Sequence, residues 1–182
     1  GFGFDSPAIA SYTQLKPATG PIAAEYYGHP TDKLDVLAVT GTNGKTSTAW
    51  WLAQALTHAG VDCGVVGTLG IGRPPQVDFV GLTTPDPVML QSRFRQFVDA
   101  GVKACAIEAS SVGIVERRLD GTSIRVAVFT NFTQDHLDYH GSLEEYFRAK
   151  ALLFTPEMAE RAVVNADSPE GRRLMGSNVP TL

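Results

Sequence analysis

The stretch Asp35-Val36-Leu37-Ala38-Val39-Thr40-Gly41-Thr42-Asn43-Gly44-Lys45-Thr46-Ser47 decides the fold. Its first six residues are a short, apolar and partly β-branched run, the pattern of a buried strand. From Thr46 to Ala59, Ala49, Leu52, Ala53 and Leu56 recur at helical spacing, and Gly60 supplies the stop. Between the two lies a turn with two glycines and a lysine. In such a frame, glycines let backbone N–H groups approach phosphate, and the helix N-terminus adds a favourable dipole. Lys45 is placed to neutralise β/γ-phosphates, and the Thr46 hydroxyl to reach Mg²⁺. The strict pattern G-x-x-x-x-G-K-[ST] is not met, because Val39 stands five residues before Gly44. A plain glycine-rich turn is the competing reading, which the strand–loop–helix frame disfavours. The motif points to a nucleoside triphosphate and leaves the reaction open.

Outward from this centre, strands are expected at Asp62–Val66, Val102–Ile107, Ile124–Phe129 and Arg161–Asn165. Val88–Ala100 reads as an amphipathic helix carrying Leu90, Phe94, Phe97 and Val98, ended by Gly101. Leu143–Phe154 reads as a helix entered through Ser142, with Glu145 completing a capping box, and another helix begins at Ser168-Pro169. Gly67–Pro87 is dense in Gly and Pro and reads as loop, and Gly1–Lys33 as loop with short elements. Short apolar strands alternating with helices predict an α/β fold, a mostly parallel sheet with helices on both faces.

Composition narrows the partners. With 182 residues, 43% hydrophobic and a net charge of −4, the chain can bury a core and lacks the basic excess of a nucleic-acid or membrane-surface binder. No apolar run approaches the roughly 20 residues of a membrane helix. The start Gly1-Phe2-Gly3-Phe4-Asp5 has no basic segment leading into an apolar one, so no signal peptide is expected. Cys63 and Cys105 lie in apolar runs and read as buried thiols. A cytoplasmic, monomeric protein acting on small molecules is the expectation. The first residue is not Met and the tail at Asn178–Leu182 shows no closing element, so a partial chain is expected.

Three further clusters are read as strand-end groups, where ligands gather in open α/β sheets. Glu108-Ala109-Ser110-Ser111 offers a carboxylate that could hold Mg²⁺ opposite Thr46, while helix capping suits its serines better. The run from Thr130 to His140 is dense in polar residues. His136 and His140, four apart, suggest zinc only if a third ligand exists, and none is evident. Thr83-Thr84-Pro85-Asp86 reads equally as a site or as a turn with a helix cap.

Taken in order, TGTNGKTS, LTTPDP, EASS with a downstream arginine, and TNFTQDHLDYHGSLEEYFRAK resemble the Mur ligase family, from about Gly20 to Asp167. Within it they most resemble the branch that adds the third amino acid of the peptidoglycan peptide. The resemblance implies an ATP-dependent ligase. The D-glutamyl carboxylate of UDP-MurNAc-L-Ala-D-Glu takes the γ-phosphoryl group of ATP, and the resulting acyl phosphate is attacked by the amine of meso-diaminopimelate or, as the alternative, lysine. It further implies that residues 1–33 end a uridine-nucleotide-binding domain, that 34–182 form an incomplete ATP-binding central domain, and that the amino-acid-binding third domain is absent.

Carried over residue by residue, the resemblance makes Gly41, Thr42, Asn43, Gly44, Lys45, Thr46 and Ser47 the ATP loop. Thr83, Thr84, Ser110, Glu116 and Arg118 become contacts to the nucleotide-peptide substrate. Glu108 and His136 become magnesium ligands beside Thr46. Lys150 becomes a carbamylated lysine, a carboxylate-like ligand for a second Mg²⁺; the residues alone read it as a solvated helix lysine. Lys45, His136 and Lys150 are thereby the catalytic candidates. Two departures stand out: Val112 where many relatives have His, and Glu116 where some have Gln. The rival readings are a folylpolyglutamate synthetase-like ligase, which also carries a GTNGK loop, a phosphate-loop NTPase or kinase, and a nucleotide-binding fragment without turnover. The TTPD, EASS and DHLDYH set favours the Mur side.

Overall fold

The computed structural model describes residues 12–182. Strand β1 (Asp35–Thr40) lies in the interior of a seven-stranded sheet. It is flanked by β5 (Ala104–Glu108) and β6 (Ile124–Phe129), both parallel to it. Beyond β5 come β2 (Cys63–Gly67) and an antiparallel hairpin, β3 (Gly70–Arg73) with β4 (Gln76–Asp78). Beyond β6 lies β7 (Ala159–Val164), again parallel, with Thr181 bridging to its Ala162. The order is β4-β3-β2-β5-β1-β6-β7, the mostly parallel α/β sheet that the alternation predicted.

Alternation along the strands sends neighbouring side chains to opposite faces. Val39, Cys63, Val65, Ala104 and Ala106 pack with Ala49 and Ala53 of helix α2 (Lys45–His58). Val36, Ala38, Cys105 and Ile107 face the other way, onto Leu90, Phe94 and Phe97 of α3 (Pro87–Asp99). The two cysteines are therefore buried free thiols on opposite faces of the sheet. Registry levels the carboxyl ends: Val39 pairs with Glu108 and Thr40 with Phe129, so the residues that follow emerge together on one edge.

Two expectations are corrected. Residues 15–26, expected as loop with short elements, form helix α1 (Leu15–Tyr26), packed on α3 despite Pro21 inside it. Residues 1–11 lie outside the described residues. The Gly/Pro-dense segment expected as loop contains the β3–β4 hairpin, whose two strands meet around Pro74-Pro75. Two short helices also occur, α4 (Ser111–Val115), whose capped start the serines anticipate, and α5 (Leu137–His140), which no sequence pattern announces. The expected helix over 143–154 is α6 (Leu143–Ala151) tightening into a 3₁₀ turn at Leu152–Phe154, with Ser142 capping it as read. The last helix is α7 (Pro169–Leu174). Among the described residues no helix is long and apolar enough to cross a membrane.

Candidate functional site

A cleft of about 610 Å³ opens at the carboxyl edge of the sheet. Of the expected site residues it is lined by Thr42, Asn43, Gly44, Lys45, Thr46, Thr83, Thr84, Ser110, Arg118, His136 and Lys150. Four others stand apart. Gly41 underlies the loop, Ser47 turns toward Trp50 and Trp51, Glu108 sits behind Thr46, and Glu116 points away.

The phosphate-loop end is held from outside by the segment after β6. Asn131 accepts from the Asn43 N–H through its side chain (2.9 Å), donates back to the Asn43 carbonyl (3.0 Å), and takes the Thr42 N–H on its own carbonyl (2.9 Å). Thr42 and Thr133 exchange hydrogen bonds of 3.1 and 3.0 Å. Gly41 has φ +140°, and a β-carbon there would collide with Thr130 Oγ1, so the loop passes where only glycine fits. These clamps leave the start of α2 free: Gly44 occupies its N-cap position with no side-chain cap. The orphan N–H groups of that first turn are what a phosphate would use.

Glu108 closes β5 and is 2% exposed. Its Oε2 accepts from Thr46 Oγ1 at 2.9 Å, and its Oε1 from the Thr68 N–H at 2.8 Å. Gly67 leaves the space it needs, since a β-carbon there would overlap Oε1. The expected pairing of Glu108 across from Thr46 is thus present, with Thr68 as a partner that the sequence did not single out. Lys45 Nζ donates to the carbonyls of Gly41 (3.0 Å) and Thr42 (2.9 Å). Burial lowers its pKa, and the charges of Glu108 and Asp135 partly restore it.

Lys150 is no solvated lysine. It is 1% exposed, donates to the Gly41 carbonyl at 2.9 Å, and lies 4.3 Å from the centre of the Tyr146 ring. Burial, followed by repulsion from Lys45, lowers its pKa to about 7. Tyr146, fully buried, is the hub of this wall: His140 and Phe132 tilt over it at 5.1 Å, and His136 meets it edge-on at 6.0 Å. His136 adopts φ 50°, turning the chain into α5 with its ring at the cleft. Among the described residues no three His, Cys, Asp or Glu side chains cluster as a metal site.

The opposite end is knit together internally. Thr84, 1% exposed, donates to the Glu108 carbonyl (2.7 Å), accepts from the Ser110 N–H (3.0 Å) and meets Ser110 Oγ at 3.0 Å. Ser110 caps α4 by accepting from the Gly113 N–H at 3.0 Å, the role sequence reasoning found more natural for it. Asp86 caps α3 through the Val88 and Met89 N–H groups, both 3.0 Å. Thr83 and Thr84 come from the segment after the antiparallel hairpin, and Thr84 meets the end of parallel strand β5 at the Glu108 carbonyl. Arg118 donates to the Thr84 carbonyl at 2.8 Å and reaches the cleft. Glu116 instead pairs with Lys16 (2.6 Å) and accepts from Tyr139 (2.7 Å), contacts that lower its pKa.

Fold and cleft together define an α/β domain of the phosphate-loop type. Residues 39–179 match the Mur ligase middle domain, and the chain belongs to the Mur ligase family. It is 57% identical to a UDP-N-acetylmuramoyl-L-alanyl-D-glutamate--2,6-diaminopimelate ligase of Acidovorax sp., over 95% of this chain and 36% of that one. A ligase of the same name from Ralstonia nicotianae is 48% identical over 94% of this chain and 34% of its own length. The chain spans about a third of the length of these curated relatives. A solved structure of such a ligase superposes with TM-score 0.82 at 28% identity, covering 98% of this chain and 38% of that one. An E. coli FolC in complex with DHPP and ADP shares the fold, with TM-score 0.69 at 20% identity over 98% of this chain and 48% of its own.

Proposed function

We propose that this chain is the nucleotide-binding part of an ATP-dependent ligase. The ligase joins meso-diaminopimelate to UDP-MurNAc-L-Ala-D-Glu through an acyl phosphate, in peptidoglycan synthesis. Residues 34–182 supply the ATP-binding part, and 1–33 lead in from the uridine-binding part. One arrangement carries the reading: Lys45 and the Thr46–Glu108 pair stand at the uncapped start of α2, beside a cleft that Arg118 also lines. The relatives at 48–57% identity bear the diaminopimelate ligase name, whereas the FolC likeness extends to the fold.

The residues fit the groups that the family implies. Thr46 Oγ1 and Glu108 Oε2 are hard oxygen donors 2.9 Å apart, which suits Mg²⁺. Bound there, Mg²⁺ would neutralise charge on the phosphoryl group in transfer. Lys45 leaves the carbonyls of Gly41 and Thr42 to meet the β/γ-phosphates, and the free N–H groups of α2 orient them. Lys150, with its pKa near 7, holds a large neutral fraction at neutral pH, the form that adds CO₂ to become a carbamate. As a carbamate it would join His136 as an oxygen-and-nitrogen set able to hold a second Mg²⁺. Thr83 and Arg118 bind the nucleotide-peptide, with Thr84 and Ser110 fixing them in place. Chemistry of this kind needs positioning and charge more than a protein nucleophile.

The test is a chimera in which this chain replaces the matching 180 residues of the Acidovorax relative. Supplied with ATP, Mg²⁺, bicarbonate and UDP-MurNAc-L-Ala-D-Glu, it forms the tripeptide product with diaminopimelate, detected by mass spectrometry. ADP release that ignores UDP-MurNAc-L-Ala-D-Glu would overturn the ligase reading. The 182-residue chain alone is expected to bind nucleotide without forming the amide.

A further inference from the structure

We propose that Ser111 is a further ligand-binding residue of the cleft, its hydroxyl donating to an anionic oxygen, with His140 as the positioning residue behind it. The proposal rests on the reading of the cleft as a ligase site. Adjacent serines behave differently here. Ser110 spends its hydroxyl on the α4 cap and on Thr84. Ser111 lines the same cleft, and among the described residues its hydroxyl has one partner, His140 Nε2 at 2.9 Å.

His140 is held for that contact. Its ring tilts over Tyr146 at 5.1 Å and stands edge-on to Tyr139 at 4.9 Å, so two aromatic neighbours fix its direction. With the proton on Nε2, the imidazole donates to Ser111 Oγ. The serine O–H is then left to find its acceptor in the cleft. That cleft also presents Lys45 and Arg118, cations that select anionic ligands. A neutral donor beside these cations adds direction where the cations add charge. The acceptor is a carboxylate or phosphate oxygen: the nucleotide-peptide carries peptide carboxylates and a diphosphate, and ATP carries its triphosphate.

The experiment measures KM for each substrate and kcat in the Acidovorax chimera carrying Ser111→Ala, His140→Phe, His140→Gln, or Ser111→Ala with His140→Phe. Phe keeps a ring against Tyr146 but cannot donate, and Gln keeps a donor. Loss of one hydrogen bond to a charged group is expected to raise one KM roughly tenfold or more in Ser111→Ala and His140→Phe. His140→Gln should recover most of it, and the double variant should be no worse than Ser111→Ala. A rise confined to UDP-MurNAc-L-Ala-D-Glu assigns the acceptor to the nucleotide-peptide, and one confined to ATP assigns it to the triphosphate. Unchanged KM values, or additive losses in the double variant, overturn the proposal while leaving the ligase reading standing. A parent chimera that makes no product overturns both.

Discussion

Helices begin at both ends of the cleft, and they treat their first N–H groups in opposite ways. At one end Ser110 folds its hydroxyl onto Gly113 of α4, and Asp86 covers two N–H groups of α3. At the other, α2 starts at Gly44 with no side-chain cap, and its loop is steadied from behind by Asn131 and Thr133. A capped helix start is finished by its own chain, whereas an uncapped one held rigid from outside is ready for a foreign anion. The same contrast separates side chains. Thr84 and Ser110 satisfy each other, while Lys45 rests on loop carbonyls that it can exchange for phosphate.

The largest effect is expected at the open end. Lys45→Ala should weaken Mg²⁺–ATP binding by about a hundredfold, through loss of charge-assisted contacts. Its melting temperature should stay close to the parent's, because Lys45 bonds only to its own loop. Calorimetry beside a thermal melt checks both, and equal affinity in the two proteins would break the contrast from the nucleotide side.

Thr84→Val probes the knit end. It removes the hydroxyl that serves the Glu108 carbonyl and the Ser110 N–H, both in buried surroundings. A stability loss of about 1–3 kcal/mol is expected in urea unfolding, with ATP affinity little changed. Full stability in the variant would mean that Thr84 is as available to ligand as the loop residues are.

The smallest effect is a slope. Lys150 has a folded pKa of about 7 against an ordinary value of 10.5, so between those values the unfolded chain binds more protons. Stability should therefore rise with pH across that window, by at most about 1.4 kcal/mol per pH unit from this group. In CO₂-free buffer from pH 7 to 9, Lys150→Met should show a flatter rise. Parallel curves would place the lysine in ordinary solvation.

Much of this was legible because it is local. Asp35–Thr40, the helix after Lys45 and the Ser142 cap follow from periodicity and capping chemistry. The β3–β4 hairpin was hidden because its strands are four and three residues long, and α1 because Pro17, Gly20 and Pro21 break its pattern. Glu108 opposite Thr46 could be inferred from strand-end logic. Lys150 could not: its burial depends on α6 folding back over Gly41, and only the family resemblance marked it. Thr68, the Asn131 clamp and the Ser111–His140 pair join residues between 29 and 88 positions apart, which no local pattern announces.

The contrast between open and finished helix starts is tested most directly by following backbone amide signals of the ¹⁵N-labelled chain during titration with Mg²⁺–ATP. The amides of Gly44, Lys45, Thr46 and Ser47 should shift most, while those of Val88, Met89 and Gly113, already taken by Asp86 and Ser110, stay nearly still. Shifts centred on the capped starts of α3 and α4, with the Gly44–Ser47 amides unmoved, would contradict the account.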